Sequence, residues 1–236
     1  MRVLVEPGSW EAGKRGSLDP EEMHHLKVRR AKDGERVEVL DGEGLRGSGI
    51  LVKTGREWMV EIRAAELQQR PPVLTLAVGA GDRGRFSWMV EKSVELGVTR
   101  IVPLESEHTA GVATRVKQNH VDRLRRASLE AIKQCGVTWA PTLESPVTLA
   151  EFAREPLPGA GWLADQAGDA VPALMDDGGV TVIVGPEGGF TDAEREMVVL
   201  HGFRPVALAI HTLRFETAAV AAAAAITQAR MRRHHG

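Results

Sequence analysis

Three short segments carry residue types whose spacing could hold a ligand or do chemistry. The first is Val184-Gly-Pro-Glu-Gly-Gly-Phe190, which closes the apolar run Val180–Val184. Gly185, Gly188 and Gly189 let the main chain turn sharply and let a ligand approach it closely. Pro186 stiffens the turn, and Glu187 adds a carboxylate. Thr191-Asp-Ala-Glu194 reads as a capping box with Thr191 as N-cap, so the loop is anchored on its far side as well. A rigid glycine loop at the carboxyl end of a parallel strand is where open α/β sheets bind ligands. An ordinary tight turn would use the same glycines. No Lys-Ser/Thr pair follows, which excludes a P-loop.

The second segment, Gly79-Ala-Gly81-Asp-Arg-Gly84, fits G-x-G-x-x-G between a strand and a helix, with Glu105 at the end of the next strand. A dinucleotide would lie there against a helix N-terminus. However, Asp82 would bring a carboxylate to the phosphate, and Arg85 and Phe86 stand where small residues let helix and strand pack. A nicotinamide-dependent oxidoreductase is the corresponding function, but no paired His and Asp offers a hydride site. A solvated turn is the plain alternative. Between the two loops, a side chain added at Gly188 should block a ligand and one added at Gly81 should not. The third segment, Arg214-Phe-Glu-Thr217, follows the strand Pro205–Leu208 and the loop Ala209–Leu213. Arg214 and Glu216 flank a helix start that Thr217 could cap, and an alanine-rich helix runs on from it.

The elements around these segments form two grammars. Over residues 1–63, short β-branched runs at Arg2–Glu6, Arg36–Leu40, Gly49–Lys53 and Trp58–Arg63 alternate with glycine turns, and only Pro20–Arg30 reads as helix. This suggests a small barrel. The polar stretch Ala64–Pro72 ends in two prolines and marks a boundary near residue 70. Beyond it, apolar strands are predicted at Val73–Val78, Arg100–Leu104, Gly161–Ala164, Val180–Val184 and Pro205–Leu208, with helices between them. Phe86, Met89, Val90 and Val94 have helical spacing, with Gly97 as the C-terminal stop. A long helix is predicted over Arg115–Gln134. Alternating β and α elements mean a mostly parallel sheet covered on both faces.

Composition narrows the class. The chain has 236 residues, and 43% are hydrophobic, enough for an ordinary core. A formal charge of −2 argues against an all-basic coat but permits a local basic patch. With one cysteine, Cys135, neither a disulfide framework nor a multi-cysteine zinc site can form, and no metal is expected. Cys135 reads as a buried small hydrophobe near a helix end. The first residues show no secretory leader pattern and no apolar run has bilayer length, so a cytoplasmic protein without membrane contact is expected.

Taken together, "EKSVELGVTRIVPL" (91–104), "IVGPEGGFTDAE" (183–194) and "LRFETAAV" (213–220) resemble the ribosomal RNA small-subunit methyltransferase E family of SPOUT methyltransferases. The stretch "HHLKVRRAKDGERVEVLDGEG" (24–44) is similar to that family's amino-terminal barrel. The resemblance implies a PUA-like RNA-binding β-barrel over 1–70 and a SPOUT α/β domain over 71–236, with a trefoil knot at about 160–236. It implies a homodimer that transfers methyl from S-adenosyl-L-methionine to N3 of a uridine in 16S ribosomal RNA, either free or in the small ribosomal subunit. Where that family carries glycine or arginine, this chain has Ala209, His211, His108 and Val137.

On that resemblance the cofactor would be held by three loops. They contribute Leu163, Ala164 and Asp165; Gly185, Pro186, Glu187 and Gly188; and Leu208, Ala209, Ile210 and Leu213. Arg214 and Glu216 are the catalytic candidates. Arg214 would polarise a uracil carbonyl and stabilise the N3 anion. RNA would meet the basic residues Lys27, Arg29 and Arg30 near the N-terminus and Arg123 and Arg126 on the long helix, mainly through phosphates. The alanine run from Ala218 is the expected dimer contact, with Ala222 or Ala223 facing the partner. A dimeric RNA-binding protein without catalysis fits the same residues.

Overall fold

The computed structural model describes residues 1–8, 11–18, 20–55, 57–109, 115–173 and 178–235. The chain divides into two compact units, residues 1–71 with 129–140, and residues 72–128 with 141–236.

The first unit holds β1 (Arg2–Leu4), β2 (Arg15–Ser17), α1 (Pro20–Val28), β3 (Arg36–Leu40), β4 (Leu45–Thr54) and β5 (Glu57–Leu67). The strands pair in the order β1-β3-β4-β5-β2, with β1 parallel to β3 and the remaining pairs antiparallel. Alternation sends Val37, Val39, Leu51, Val60 and Ile62 into one core with Val3, Leu26 and Trp58. Two strands outrun their sequence pattern. β4 begins at Leu45, and β5 continues through Ala64–Leu67, where polar composition suggested a linker. The ladder is made by backbone groups, and the side chains from Arg63 to Leu67 are exposed, so their polarity is no obstacle. β2 has only three residues and shows no periodicity to read.

Residues 129–140 group with this unit although no change in composition signals it. The Lys133 ammonium lies 2.8 Å from the buried Glu22 carboxylate on α1, and the Trp139 indole N–H donates to the Gln68 carbonyl at 3.1 Å. Cys135 is half-buried here rather than buried.

The second unit contains β6 (Leu74–Gly79), α2 (Arg83–Glu95), β7 (Arg100–Glu105), the start of α3 (Val121–Cys135), β8 (Thr142–Leu143), β9 (Val147–Thr148), α4 (Leu149–Ala153), β10 (Gly159–Ala170), β11 (Gly179–Val184), α5 (Asp192–Leu200), β12 (Arg204–Ala207) and α6 (Phe215–His235). The sheet runs β12-β10-β11-β6-β7-β8, with β9 also on β7, and every pairing is parallel. Both faces are covered, as the alternation of elements predicts. Leu74, Leu76, Val78, Val180 and Val182 face a core shared with α2 and α6. Ala77, Leu163 and Ile183 face a second core shared with α4 and α5.

Two elements depart from expectation, each through tertiary contact. α3 starts at Val121, not Arg115, because the backbone before it is engaged elsewhere. Arg115 bridges to Asp82, and the Val116 N–H donates to the Gly81 carbonyl at 3.1 Å. α6 starts at Phe215, so Thr217 lies inside its first turn and does not cap it. The Arg214 carbonyl accepts from the Ala218 N–H at 2.8 Å. Ala218, Ala219, Ala222, Ala223 and Ile226 are buried within the single chain, so Ala222 and Ala223 do not face a partner. Their small side chains pack in the core that α6 shares with α2, where Phe86 and Phe215 stack 6.3 Å apart.

Candidate functional site

The carboxyl ends of the neighbouring strands β10, β11 and β12 open onto one cavity of about 450 Å³. Each contributes through a local irregularity. β10 shifts register between Ala164 and Asp169, which throws Asp165–Gly168 out of the ladder and brings Ala164, Asp165 and Gln166 to the cavity. After β11 the chain turns through Gly185, Pro186, Glu187 and Gly189, which also line it. The turn is closed by the Gly189 N–H donating to the Pro186 carbonyl at 2.9 Å, with Gly189 at φ +70°, where a side chain would be strained. Thr191 then caps α5 in a reciprocal box with Glu194, as the sequence predicts. After β12, Leu208, Ala209, His211, Thr212, Leu213 and Arg214 complete the wall.

Side chains fix these loops to one another. The Gln166 amide donates to the Ile210 carbonyl at 3.3 Å and accepts from the Thr212 hydroxyl. Asp165 accepts from the Ala167 N–H at 2.9 Å and lies 3.6 Å from Arg195. Hydrogen bonding to Asp192, with the field of Asp165, holds the Arg195 guanidinium above its usual pKa, so it stays charged. On the outer side of the glycine loop, the His108 Nδ1–H donates to the Gly189 carbonyl at 3.0 Å. The Glu107 N–H donates to the Glu194 carboxylate at 2.9 Å.

The upstream glycines serve this same cavity by packing. A Cβ on Gly79 would stand 2.4 Å from the Pro186 nitrogen, so a glycine there lets the downstream loop close onto β6. A Cβ on Gly81 would meet the Glu187 carboxylate at 2.7 Å and the Phe215 ring at 2.8 Å. Asp82 turns its carboxylate onto the Gly84 and Arg85 amides and caps α2. A pyrophosphate would thus meet two carboxylates and amides already bonded, which removes the physical basis of the dinucleotide reading.

The predicted residues separate cleanly. Ala164, Asp165, Gly185, Pro186, Glu187, Leu208, Ala209, Leu213 and Arg214 are on the cavity wall. Leu163 is buried in the core. Gly188 faces away, with its missing Cβ 3.0 Å from that of His108, and Ile210 is exposed at 86%. A side chain at Gly81 would press on the wall residue Glu187, and one at Gly188 would press on His108 behind the loop, so both glycines are tied to the cavity through a neighbour. Glu216 is buried in the first turn of α6 with Oε2 lacking a hydrogen-bond partner, and it makes no ion pair with Arg214 among the described residues. Lys27, Arg29, Arg30, Arg123 and Arg126 are all exposed, and Arg29 pairs with Glu35.

Sequence reasoning missed Arg85 and Phe215 on the wall and did not single out Gln166 and Thr212, which lie within the predicted loops 163–168 and 208–213. Arg85 had a signal, as the residue that spoils the upstream motif. Gln166 had none of its own, because a bulge places it. Among the described residues, no cluster of His, Cys, Asp or Glu could hold a metal ion, and no helix is long and apolar enough to cross a membrane.

The cavity has the size of a small-molecule site, and its wall mixes apolar and charged groups. Apolar surface from Val184, Pro186, Leu208 and Leu213 meets two carboxylates, Glu187 and Asp165, and two guanidinium groups, Arg85 and Arg214, which suits a ligand with an apolar body that carries charge of both signs. Comparisons with known proteins agree with that chemistry. The family described as RNA methyltransferase domain matches residues 68–227, and the RNA methyltransferase PUA domain matches residues 18–65. Ribosomal RNA small subunit methyltransferase E of Synechocystis is 29% identical over 222 residues, 89% of this chain and 72% of that protein. A crystal structure of the protein of that name from Neisseria gonorrhoeae, bound to S-adenosyl methionine, superimposes with a TM-score of 0.85 at 26% identity, covering 96% of each chain. A putative methyltransferase from Legionella pneumophila, in complex with the same cofactor, gives a TM-score of 0.84 at 28% identity and covers 97% of each chain. The chain belongs to the RNA methyltransferase family that includes the proteins named ribosomal RNA small subunit methyltransferase E.

Proposed function

We propose that the chain is a homodimeric, S-adenosyl-L-methionine-dependent methyltransferase acting on N3 of a uridine in 16S ribosomal RNA. The observation that carries the reading is the convergence of three loops on one cavity with Arg214 on its wall. The cofactor supplies a methyl group already activated on a sulfonium. Ala164, Gly185, Leu208 and Leu213 would hold its adenosine, and Glu187 and Asp165 give the cationic centre a counter-charge. Arg214 makes no ion pair among the described residues and can direct its donors at a uracil carbonyl. It would stabilise the charge that spreads onto that oxygen as N3 loses its proton. Glu216, two residues after Arg214, is buried and fits a positioning role better than direct contact.

The same reading extends to the first unit, where the Glu6 N–H reaches the Ser17 carbonyl at 3.5 Å. That contact brings the two edges of the five-stranded sheet together, as closure into a PUA-like barrel requires. Lys27, Arg29 and Arg30, with Arg123 and Arg126, would meet RNA phosphates. We assign the trefoil knot to the segment from about residue 160 onward, where the three cavity loops gather. Mass spectrometry of small-subunit ribosomal RNA from cells lacking the protein tests the function. Loss of one 3-methyluridine is expected, and an unchanged set of methylated nucleosides would overturn it.

A further inference from the structure

We propose that Arg83 and His120 form a subsite for a backbone phosphate of the RNA, an assignment that rests on the proposed function. The His120 ring is approached by donors at both nitrogens. The Lys117 N–H lies 3.1 Å from Nδ1, and Arg83 Nη1 lies 2.9 Å from Nε2. A neutral imidazole accepts at one nitrogen, an imidazolium at neither, and a guanidinium never accepts. The Lys117 amide is fixed in the turn that precedes α3, so Nδ1 accepts from it and the ring proton sits on Nε2. That leaves Nε2–H and the Arg83 guanidinium facing each other with no acceptor between them. At 2.9 Å the two N–H groups leave no room for an atom between them, so the exposed Arg83 side chain turns aside when a phosphate oxygen accepts from Nε2–H, and its fork then takes a second oxygen.

The surroundings favour a polyanion. Arg83 and Lys117 are exposed, and neither makes an ion pair among the described residues. Arg115 lies alongside, half-buried, 3.8 Å from Glu105. Asp82 directs its carboxylate to the Gly84 and Arg85 amides. Those amides are therefore taken, and an anion has to be held by side chains. Arg85, two residues on in the first turn of α2, lines the cavity, so the subsite and the proposed methyl donor's pocket are served by the same helix start. An open rim of spaced cations suits a phosphate backbone rather than a free ion, which would need an enclosing cradle.

The test titrates a 16S ribosomal RNA transcript onto the full chain over a range of salt, with S-adenosylmethionine binding measured in parallel. Arg83→Gln should weaken RNA binding several-fold and reduce the slope of log affinity against log salt by about 0.7 to 0.9, the loss of one phosphate contact. Arg83→Lys should keep the slope but not the full affinity. Both should bind S-adenosylmethionine as the wild type does. Inorganic phosphate should compete no better than its ionic strength explains. Unchanged RNA affinity and slope in Arg83→Gln, or tight binding of phosphate alone, would overturn the subsite while leaving the proposed function standing. A wild-type chain that binds neither S-adenosylmethionine nor RNA would overturn the function itself.

Discussion

His108 shows how a single residue can shape the cavity without lining it. Its Nδ1–H holds the Gly189 carbonyl, and its Cβ fills the space that Gly188 leaves open. His108→Ala should weaken S-adenosylmethionine binding by roughly fivefold, the worth of one hydrogen bond of about 1 kcal/mol. His108→Asn should restore most of it, because an asparagine amide can donate from nearly the same position. Calorimetry on the three proteins decides, and equal affinities would show that the contact does not position the loop. Much of this wall was readable from sequence. The glycine spacing, the Thr191–Glu194 box and Arg214 all act locally, so neighbouring residues reveal them. The roles of Gly188, Ile210 and Leu163 were not readable, because which way a loop residue points depends on what packs behind it.

At the scale of elements, α6 separates two uses of alanine. Ala222 is fully buried and Ala224 is exposed on the same helix. Ala222→Glu buries an unpaired carboxylate and should abolish cooperative folding of the second unit, whereas Ala224→Glu should leave that unit cooperatively folded. Thermal melts followed by circular dichroism compare them, and a stably folded Ala222→Glu would contradict the packing described. Composition could not make this distinction, because an alanine face is the same whether it meets α2 or another molecule. In the first unit, Glu38 is pushed upward by partial burial, but hydrogen bonds from Arg2 and Arg46 outweigh this and hold its pKa below the usual carboxylate range. A lowered folded-state pKa gives stability that is present above the unfolded value of 4.5 and lost as pH falls through the folded one. Glu38→Gln should therefore flatten the acid limb of the first unit's stability and leave its alkaline limb unchanged, as acid titration of the two proteins would show. The strands around Glu38 were legible where alternation was strong. β2 and the end of β5 were not, since backbone pairing alone defines them.

For the whole molecule, the parallel sheet with two covered faces follows from alternating apolar strands and helices. The grouping of residues 129–140 with the first unit does not, because it is made by distant partners such as Glu22 and Gln68. The proposed homodimer belongs to this scale. Sedimentation equilibrium should give twice the 25.6 kDa chain mass. Ala224→Glu, on the outward face of α6, should yield a folded monomer with little methyl transfer. A wild-type chain that sediments as a monomer at micromolar concentration would end the dimer proposal and leave the cavity untouched. Methyl transfer at that cavity is measured by incubating the purified chain with methyl-labelled S-adenosylmethionine and small ribosomal subunits from cells that lack the protein, then identifying the labelled nucleoside after digestion. Label is expected in 3-methyluridine at a single site of 16S ribosomal RNA, reduced on the order of a hundredfold or more by Arg214→Ala. Label in any other nucleoside, or none at all, would contradict the proposed function.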